Sequence, residues 1–433
     1  MISNPEFRRN LWIEMTTHRL ISMPLILAIL LFFSYLTNGS ELNQGVADGA
    51  QFVALVLTML WGANMASEAV LGEVREHTWD SQRMSAMPAW SLMWGKLLGS
   101  SIYTWYGTFF CVLLYIFASE LTMLSTIKHA VLIICSGLLA QALAMLLALM
   151  FIRKDDGIVR SPSILFVLFA ASTAWGFFSL ATHSAATLQW YDLSCDTINF
   201  GLSSMLFFLA WTWVANYRLM RAELQINNYI WIWLSFVVFL MAYTAGFFGV
   251  ATLKPYYEAA FSVPLSVAFA VAVVLTYWML FSESKNPVNY KRLLLLLAQK
   301  NWHGLQSGLQ CWMGSLLLAV LSGLVLFAQM MSEEVMNSIF VIALLLFISR
   351  DICIVLYLNF NANRKRADMT AMFYLFVLYA VFPGIFASMD MSTALFFPLD
   401  DSNAWVSAAA ALVECAFAFW LMRSRWRRNY SQC

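Results

Sequence analysis

Twelve stretches of roughly twenty predominantly apolar residues divide this 433-residue chain, and they decide its fold class. They run over 20–37, 51–67, 97–118, 129–152, 162–182, 198–217, 229–252, 261–282, 311–331, 336–359, 370–388 and 404–422. About twenty residues is the length a helix needs to cross the hydrocarbon of a bilayer. The chain is 61% hydrophobic and 11% charged, more apolar surface than a water-soluble core can enclose. Inside lipid the backbone has no water to bond, so only helices or a closed barrel can span. The short alternating segments of a barrel are absent. The expected fold is therefore all-α, an integral membrane protein of about twelve transmembrane helices.

The basic residues test that count. With a cytoplasmic N-terminus and alternating sides, the inside segments hold 23 of the 25 Lys and Arg, Arg350 being counted with its neighbouring loop. The outside loops hold only Lys128 and Lys254. That is the asymmetry of the positive-inside rule, and one missed or invented span would scramble it. Both termini are expected in the cytoplasm. The N-terminus has no short apolar core with a cleavage site, so the first span is expected to stay uncleaved.

The longest polar segments both fall on the inside, at 67–96 and 283–310. Ser67-Glu68 to Gly99-Ser100 and Ser282-Glu283 to Gly314-Ser315 are each 34 residues, at a constant offset of 215. Each follows the second span of a six-span set. This order predicts two parallel six-helix halves, 1–225 and 226–433, as in duplicated transporters.

The first polar segment has an internal order. The charged run "EVREHTWD" (73–80) is followed by a stretch carrying Trp79, Met84 and Met87, then Pro88, then Trp90, Trp94 and Lys96. Trp at a membrane boundary and a Lys with a long stem are expected interfacial anchors, here Trp90, Trp94 and Lys96. Before the first span, residues 4–19 form an amphipathic stretch with Phe7, Leu11, Trp12 and Met15 on one helical face.

This arrangement resembles the type-2 permease family of ATP-binding-cassette (ABC) exporters. Their first intracellular loop reads E-x-x-E-x-x-T-x-[DE], a spacer, Pro, a spacer and G-K-[LF]. Glu73, Glu76, Thr78 and Asp80 supply the acidic cluster, with Thr78 one position early, and Pro88 and Gly95-Lys96-Leu97 match the remainder. Residues 4–19 resemble that family's interfacial elbow helix. In the second half only the layout matches, because "SKNPVNYKRLLLLLAQKNWHGLQSG" is basic and leucine-rich.

The resemblance implies a permease subunit, not itself an enzyme, that exports an amphipathic or hydrophobic substrate across a bacterial cytoplasmic membrane. The loop 68–96 would dock in a separate ATPase subunit, present in two copies, through Glu73, Arg75, Glu76, His77, Thr78, Asp80, Arg83 and Pro88. ATP and Mg would sit on that partner. The chain has no phosphate-binding G-x-x-x-x-G-K-[ST] loop, since Gly95-Lys96 is followed by Leu and lacks the upstream Gly. A solvated loop is the plainer reading of 67–96, but the positive-inside rule asks only for basic residues and this loop carries four carboxylates.

Three ionisable residues fall deep in apolar runs: Arg350, Asp351 and Glu414. Such residues face protein or water rather than lipid. Neighbours on a helix point about 100° apart, so Arg350 is expected to pair with Glu414 and not cleanly with Asp351. A structural clamp, substrate contact and a proton relay are all compatible with them. The five His and seven Cys show no CxxC or HExxH spacing, so no metal site is expected. A net charge of +1 gives no reason to expect nucleic acid. An alternative function is a proton-coupled twelve-span secondary transporter, but its short G-x-x-x-D-R-x-G-R-R loop between spans 2 and 3 is missing. The topology makes a direct prediction. In a Cys-free background, single cysteines at Ser40 and Ser194 should be labelled from outside, and those at Ser85 and Asn363 only from inside; external labelling at Ser85 would overturn it.

Overall fold

The computed structural model describes residues 4–85, 87–154, 163–183, 187–248, 262–332, 338–360, 367–389, 391–398 and 404–430. It is almost entirely helical. Among the described residues ten helices are long and apolar enough to cross a membrane, or eleven if one bent pair is a single span. The shorter apolar helix Trp231–Ala245 lies in the seventh predicted segment, whose residues 249–252 fall outside the described set. The chain is thus an all-α protein of multi-pass membrane character. It divides into two compact units, Met1–Leu188 with Ser194–Asn228, and Gln189–Leu193 with Tyr229–Cys433.

In the first unit, α1 (Pro5–Glu14) is capped by Asn4, whose side chain accepts from the Glu6 and Phe7 amides. Helix α2 (Thr17–Thr37) starts three residues later, so the expected single elbow 4–19 is two helices broken at Met15–Thr16. Helix α3 (Gln44–Arg75) is far longer than the apolar run 51–67 that predicted it. A π-helical turn at Val56–Gly62 interrupts it. The one-turn α4 (Trp79–Arg83) leads to α5 (Ala89–Ser100) and α6 (Ile102–Ala118), which meet at a 54° bend. Ser101 Oγ bonds the Leu97 carbonyl there, and Thr104 Oγ1 the Ser101 carbonyl, the back-bonding that bends helices. Helices α7 (Met123–Lys154), α8 (Ser163–His183) and α9 (Thr197–Glu223) complete this unit.

The expected polar loop 68–96 is therefore mostly helix. Residues up to Arg75 extend α3, and Pro88 N-caps α5, so only 76–88 turn the chain. Helix α1 packs on α5, and the contact surface is unexpected. Its polar side goes inward: Asn4 and Glu6 are buried, and Asn10 Nδ2 donates to the Gly95 carbonyl at 3.4 Å. Trp12 and Ile13 face out. The approach is close enough to require glycine. A Cβ on Gly95 would lie 2.9 Å from Asn4 Nδ2 and Glu6 Cβ, and one on Gly99 2.9 Å from Asn10 Cβ.

In the second unit, α10 (Trp231–Ala245) receives the tip of the two-stranded hairpin β1 (Thr187–Trp190) and β2 (Leu193–Asp196). Trp190 Nε1 donates to the Tyr243 carbonyl at 3.1 Å and Tyr191 Oη to the Ala242 carbonyl at 2.7 Å. Helix α11 (Ser262–Ser282) is followed by the short α12 (Pro287–Ala298) and α13 (Trp302–Gly308), then α14 (Cys311–Ser332) and α15 (Ile339–Asn359). Helix α16 (Ala367–Ser388) contains a second π-helical turn at Val377–Val381, and α17 (Ala404–Tyr430) packs along α15. Its core gathers Phe269, Leu280, Trp312, Leu326, Ile348 and Phe360.

The Gly99 contact yields a prediction. Gly99→Val should destabilise the protein by about 1–3 kcal/mol through overpacking against Asn10 and the Phe7 backbone. Gly72→Ala, whose Cβ meets nothing closer than 3.9 Å, should be neutral or slightly stabilising. Thermal unfolding in detergent compares the two.

Candidate functional site

The polar segment of the first unit is organised around a buried ammonium. Lys96 is fully enclosed. Its Nζ bonds Glu73 Oε2, reaches Glu6 Oε1 at 3.1 Å and lies 5.6 Å from the centre of the Trp79 ring. Arg9 Nη2 joins the same carboxylates, at 2.9 Å to Glu6 and 2.5 Å to Glu73, and Gln82 Nε2 donates to Glu73 Oε1 at 2.6 Å. One cluster therefore ties α1, α3, the α4 turn and α5 together. The expected interfacial role of Lys96 does not hold: its ammonium is fully buried and points inward onto buried Glu6 and half-buried Glu73. Trp90 meets Trp213 at a tilt (6.2 Å) and Tyr217 edge-on (5.7 Å), and Trp94 lies at a tilt to Phe7 (5.6 Å).

Above this cluster the chain turns through a Schellman motif. The His77 amide donates to the Val74 carbonyl and the Thr78 amide to the Glu73 carbonyl. His77 occupies the left-handed position at φ +57°, where glycine is usual. The turn leaves Arg75, Glu76, His77, Thr78 and Asp80 exposed as a group. Arg75 pairs with Glu68, and Arg83 bonds both Asp80 (3.3 Å) and the Glu223 carbonyl at the end of α9 (3.0 Å). So the predicted contact residues differ in role: Glu73 is an internal strut, Pro88 a helix cap, Arg83 a half-buried tie to α9, and Arg75, Glu76, His77, Thr78 and Asp80 form an exposed tip.

The corresponding segment of the second unit is built differently. Lys285 is buried against Asp368 Oδ1 at 2.9 Å, and Glu283 accepts from the Cys311 amide (3.1 Å) at the start of α14. Tyr290 Oη donates to Gln310 Oε1 at 2.7 Å, and burial pushes its phenol above the usual range, keeping it a donor. Helix α12 exposes Val288, Leu294, Leu295 and Leu297, with Arg292 among them.

The deep charges of the second unit do meet. Arg350 Nη1 bonds Glu414 Oε2 across α15 and α17, the expected pair. The expected separation from Asp351 is overturned: Arg350 Nε donates to Asp351 Oδ1 at 2.9 Å. A guanidinium on a three-carbon stem swings back to its neighbour, which the 100° between Cβ directions does not prevent. Asp351 Oδ2 also accepts from Tyr277 Oη and Tyr379 Oη, each at 2.7 Å. Sequence reasoning missed both tyrosines, as it missed Glu6 and Arg9; a polar group in an apolar run was the available signal for the tyrosines. Among the described residues no His, Cys, Asp and Glu group could hold a metal ion.

The chain matches no protein-family model, no curated protein and no solved structure.

Lys96→Met should cost about 3–5 kcal/mol, because it leaves buried Glu6 and half-buried Glu73 with only Arg9 between them. Adding Glu73→Gln should recover part of that loss. Thermal unfolding in detergent reads both, and an unchanged single variant would show that the cluster holds nothing together.

Proposed function

We propose that this chain is the membrane-spanning permease subunit of an ABC exporter, driven by a separate ATPase subunit that binds ATP and Mg. In this reading it forms twelve spans in two six-helix halves, in a bacterial cytoplasmic membrane with both termini inside. It moves an amphipathic or hydrophobic substrate and takes two copies of the ATPase. The observation that carries the proposal is the exposed tip Arg75–Asp80 seated on the Lys96 cluster. A tip that only reversed the chain would need neither a mixed-charge face nor a four-residue ion network around a buried lysine beneath it.

The physical logic is transmission. Charged groups at a joint set orientation and partner choice more than affinity. Here the exposed charges face outward from a turn fixed by the Schellman bonds and by Arg83 on α9. A displacement of that turn would pass through Glu73 and Lys96 into α3 and α5, which run on into apolar helices. The short α4 carries the motion and the cluster keeps it from being lost as local bending. Glu73 thus serves the joint from within, and Arg75, Glu76, His77, Thr78, Asp80 and Arg83 meet the partner.

A second reading, a proton-coupled twelve-span secondary transporter, draws on buried Arg350 and Asp351 and half-buried Glu414 of the second unit. It needs no ATPase, so one experiment separates the two. The tagged chain is purified from its native membranes with vanadate-sensitive ATP hydrolysis as the readout. Wild type should bring such activity with it, and Glu76→Lys with Asp80→Lys should lower it at least tenfold while the chain still inserts. Equal recovery from the reversed variant would return the tip to a solvated turn.

A further inference from the structure

Residues 284–310 of the second unit contain no Asp or Glu, but they hold Lys285, Lys291, Arg292 and Lys300. The polar stretch of the first unit, 67–96, carries four carboxylates. Lys285 pairs with Asp368. Among the described residues no ion pair engages Lys291, Arg292 or Lys300.

The segment is pinned at its base. Gln310 Nε2 donates to the Ser284 carbonyl at 2.9 Å and the Cys311 amide to Glu283 Oε1 at 3.1 Å, so the chain leaves the end of α11 and returns to the start of α14 at one place. Both helices are long and apolar enough to cross a membrane, which puts α12 and α13 at its boundary. The two short helices are themselves tied together. Helix α12 ends in a Schellman turn, with the Asn301 amide on the Leu296 carbonyl (3.0 Å) and the Lys300 amide on the Leu297 carbonyl (3.1 Å). Helix α13 then folds back with Gly304 and Gly308 against Leu296 and Leu293. A Cβ on either glycine would lie 3.0 or 3.1 Å from the Cδ2 atom it faces.

That contact covers one side of α12 and leaves another open. Val288, Lys291, Arg292 and Leu295 follow the i, i+3, i+4, i+7 spacing of a single helical face. Val288 is 66% exposed and Leu295 55%, with Leu294 (56%) beside them and Trp302 (63%) at the start of α13. Arg292 is exposed and Lys291 half-buried. A face that mixes leucine with unpaired cations suits neither water nor a protein core. It suits the boundary of a bilayer, where leucines enter the acyl region and long basic stems reach back to headgroup phosphates.

We propose that α12 and α13 lie on the leaflet at this end of the bundle and bind anionic phospholipid, with Val288, Leu294 and Leu295 among the acyl chains and Lys291, Arg292 and Lys300 on the headgroups. Charge selects this occupant. A negatively charged surface meets no carboxylate along 284–310, and each basic residue near such a surface adds to the attraction. A second copy of the chain meeting this face with its own would set cations against cations. The inference rests on the membrane-spanning character of the chain and not on an ATPase partner.

The test uses the full chain with its native cysteines replaced and a nitroxide attached through Leu295→Cys. It is reconstituted in nanodiscs of phosphatidylcholine, alone or with one third phosphatidylglycerol. Power saturation compares the label's collisions with oxygen, which concentrates among acyl chains, and with an aqueous nickel chelate. In the anionic discs oxygen collisions should dominate, with a ratio about threefold above that in phosphatidylcholine alone. Lys291→Glu with Arg292→Glu should bring the anionic-disc ratio down to the phosphatidylcholine value. High salt screens the headgroups without any substitution, so it should lower the ratio in the same direction even if the double variant fails to fold. Three outcomes would each overturn the proposal. Nickel collisions dominant in both lipids would give the face to a soluble partner. Dipolar broadening between labels would give it to a second copy. A ratio indifferent to lipid charge and to salt would remove the anionic lipid.

Discussion

An ammonium cut off from water has to find its counter-charges within reach, and the first unit is arranged around that requirement at Lys96. Desolvating one charge costs several kcal/mol even after relaxation, and the attraction offsets it only where geometry and hydrogen bonds are good. Lys96 meets the condition with two carboxylates from different helices and an aromatic face. The consequence spreads outward. Glu6 must be buried, so α1 must lie against α5 by its polar side, so residues 95 and 99 must lack side chains. Trp12 and Ile13 of α1 are thereby left facing outward, while Phe7 of the same helix packs on Trp94. A helix that reads as an ordinary interfacial amphipath is oriented by a lysine ninety positions away.

The second unit meets the same requirement twice and less symmetrically. Lys285 finds Asp368, which also receives Asn359 Nδ2 at 3.0 Å, so its site is a compact bridge between the end of α15 and the start of α16. Arg350 instead is shared between two carboxylates within the apolar part of the bundle. The first arrangement balances its charges locally. The second gathers Arg350, Tyr277 and Tyr379 on Asp351, which is fully buried and bonded through both oxygens.

What could be read from the letters follows the range of each interaction. The apolar helices were legible because hydropathy is a local property summed over twenty residues. Where they end was not. Glu68 and Glu73 look like loop residues, yet α3 carries them, because Arg75 and Lys96 neutralise them in the folded chain. Arg350 with Glu414 was legible because charges in apolar runs are few and must pair. Arg350 with Asp351 was misjudged because spacing along a helix fixes Cβ directions, not the reach of a long flexible side chain. Glu6 and Arg9 were illegible for a different reason: nothing in a short N-terminal segment announces that it will serve a residue some ninety positions on.

The two π-helical turns show how polar chemistry is admitted to an otherwise apolar helix. The turn at Val56–Gly62 leaves the Thr58 carbonyl available, and Gln141 Nε2 donates to it at 3.2 Å from α7, while Gln141 Oε1 accepts from Trp105 Nε1 at 3.0 Å. Gly62 allows that approach, since a Cβ there would fall 2.4 Å from Gln141 Nε2. The freed backbone group is answered by protein, so this defect closes on itself and locks α3 to α6 and α7. The turn at Val377–Val381 does something else. It delivers Tyr379 to a carboxylate that already has a donor from Arg350 and another from Tyr277, at the edge of a cavity. The same backbone irregularity therefore admits polar bonding in both units, to a helix carbonyl through Gln141 in the first and to a fully buried carboxylate through Tyr379 in the second.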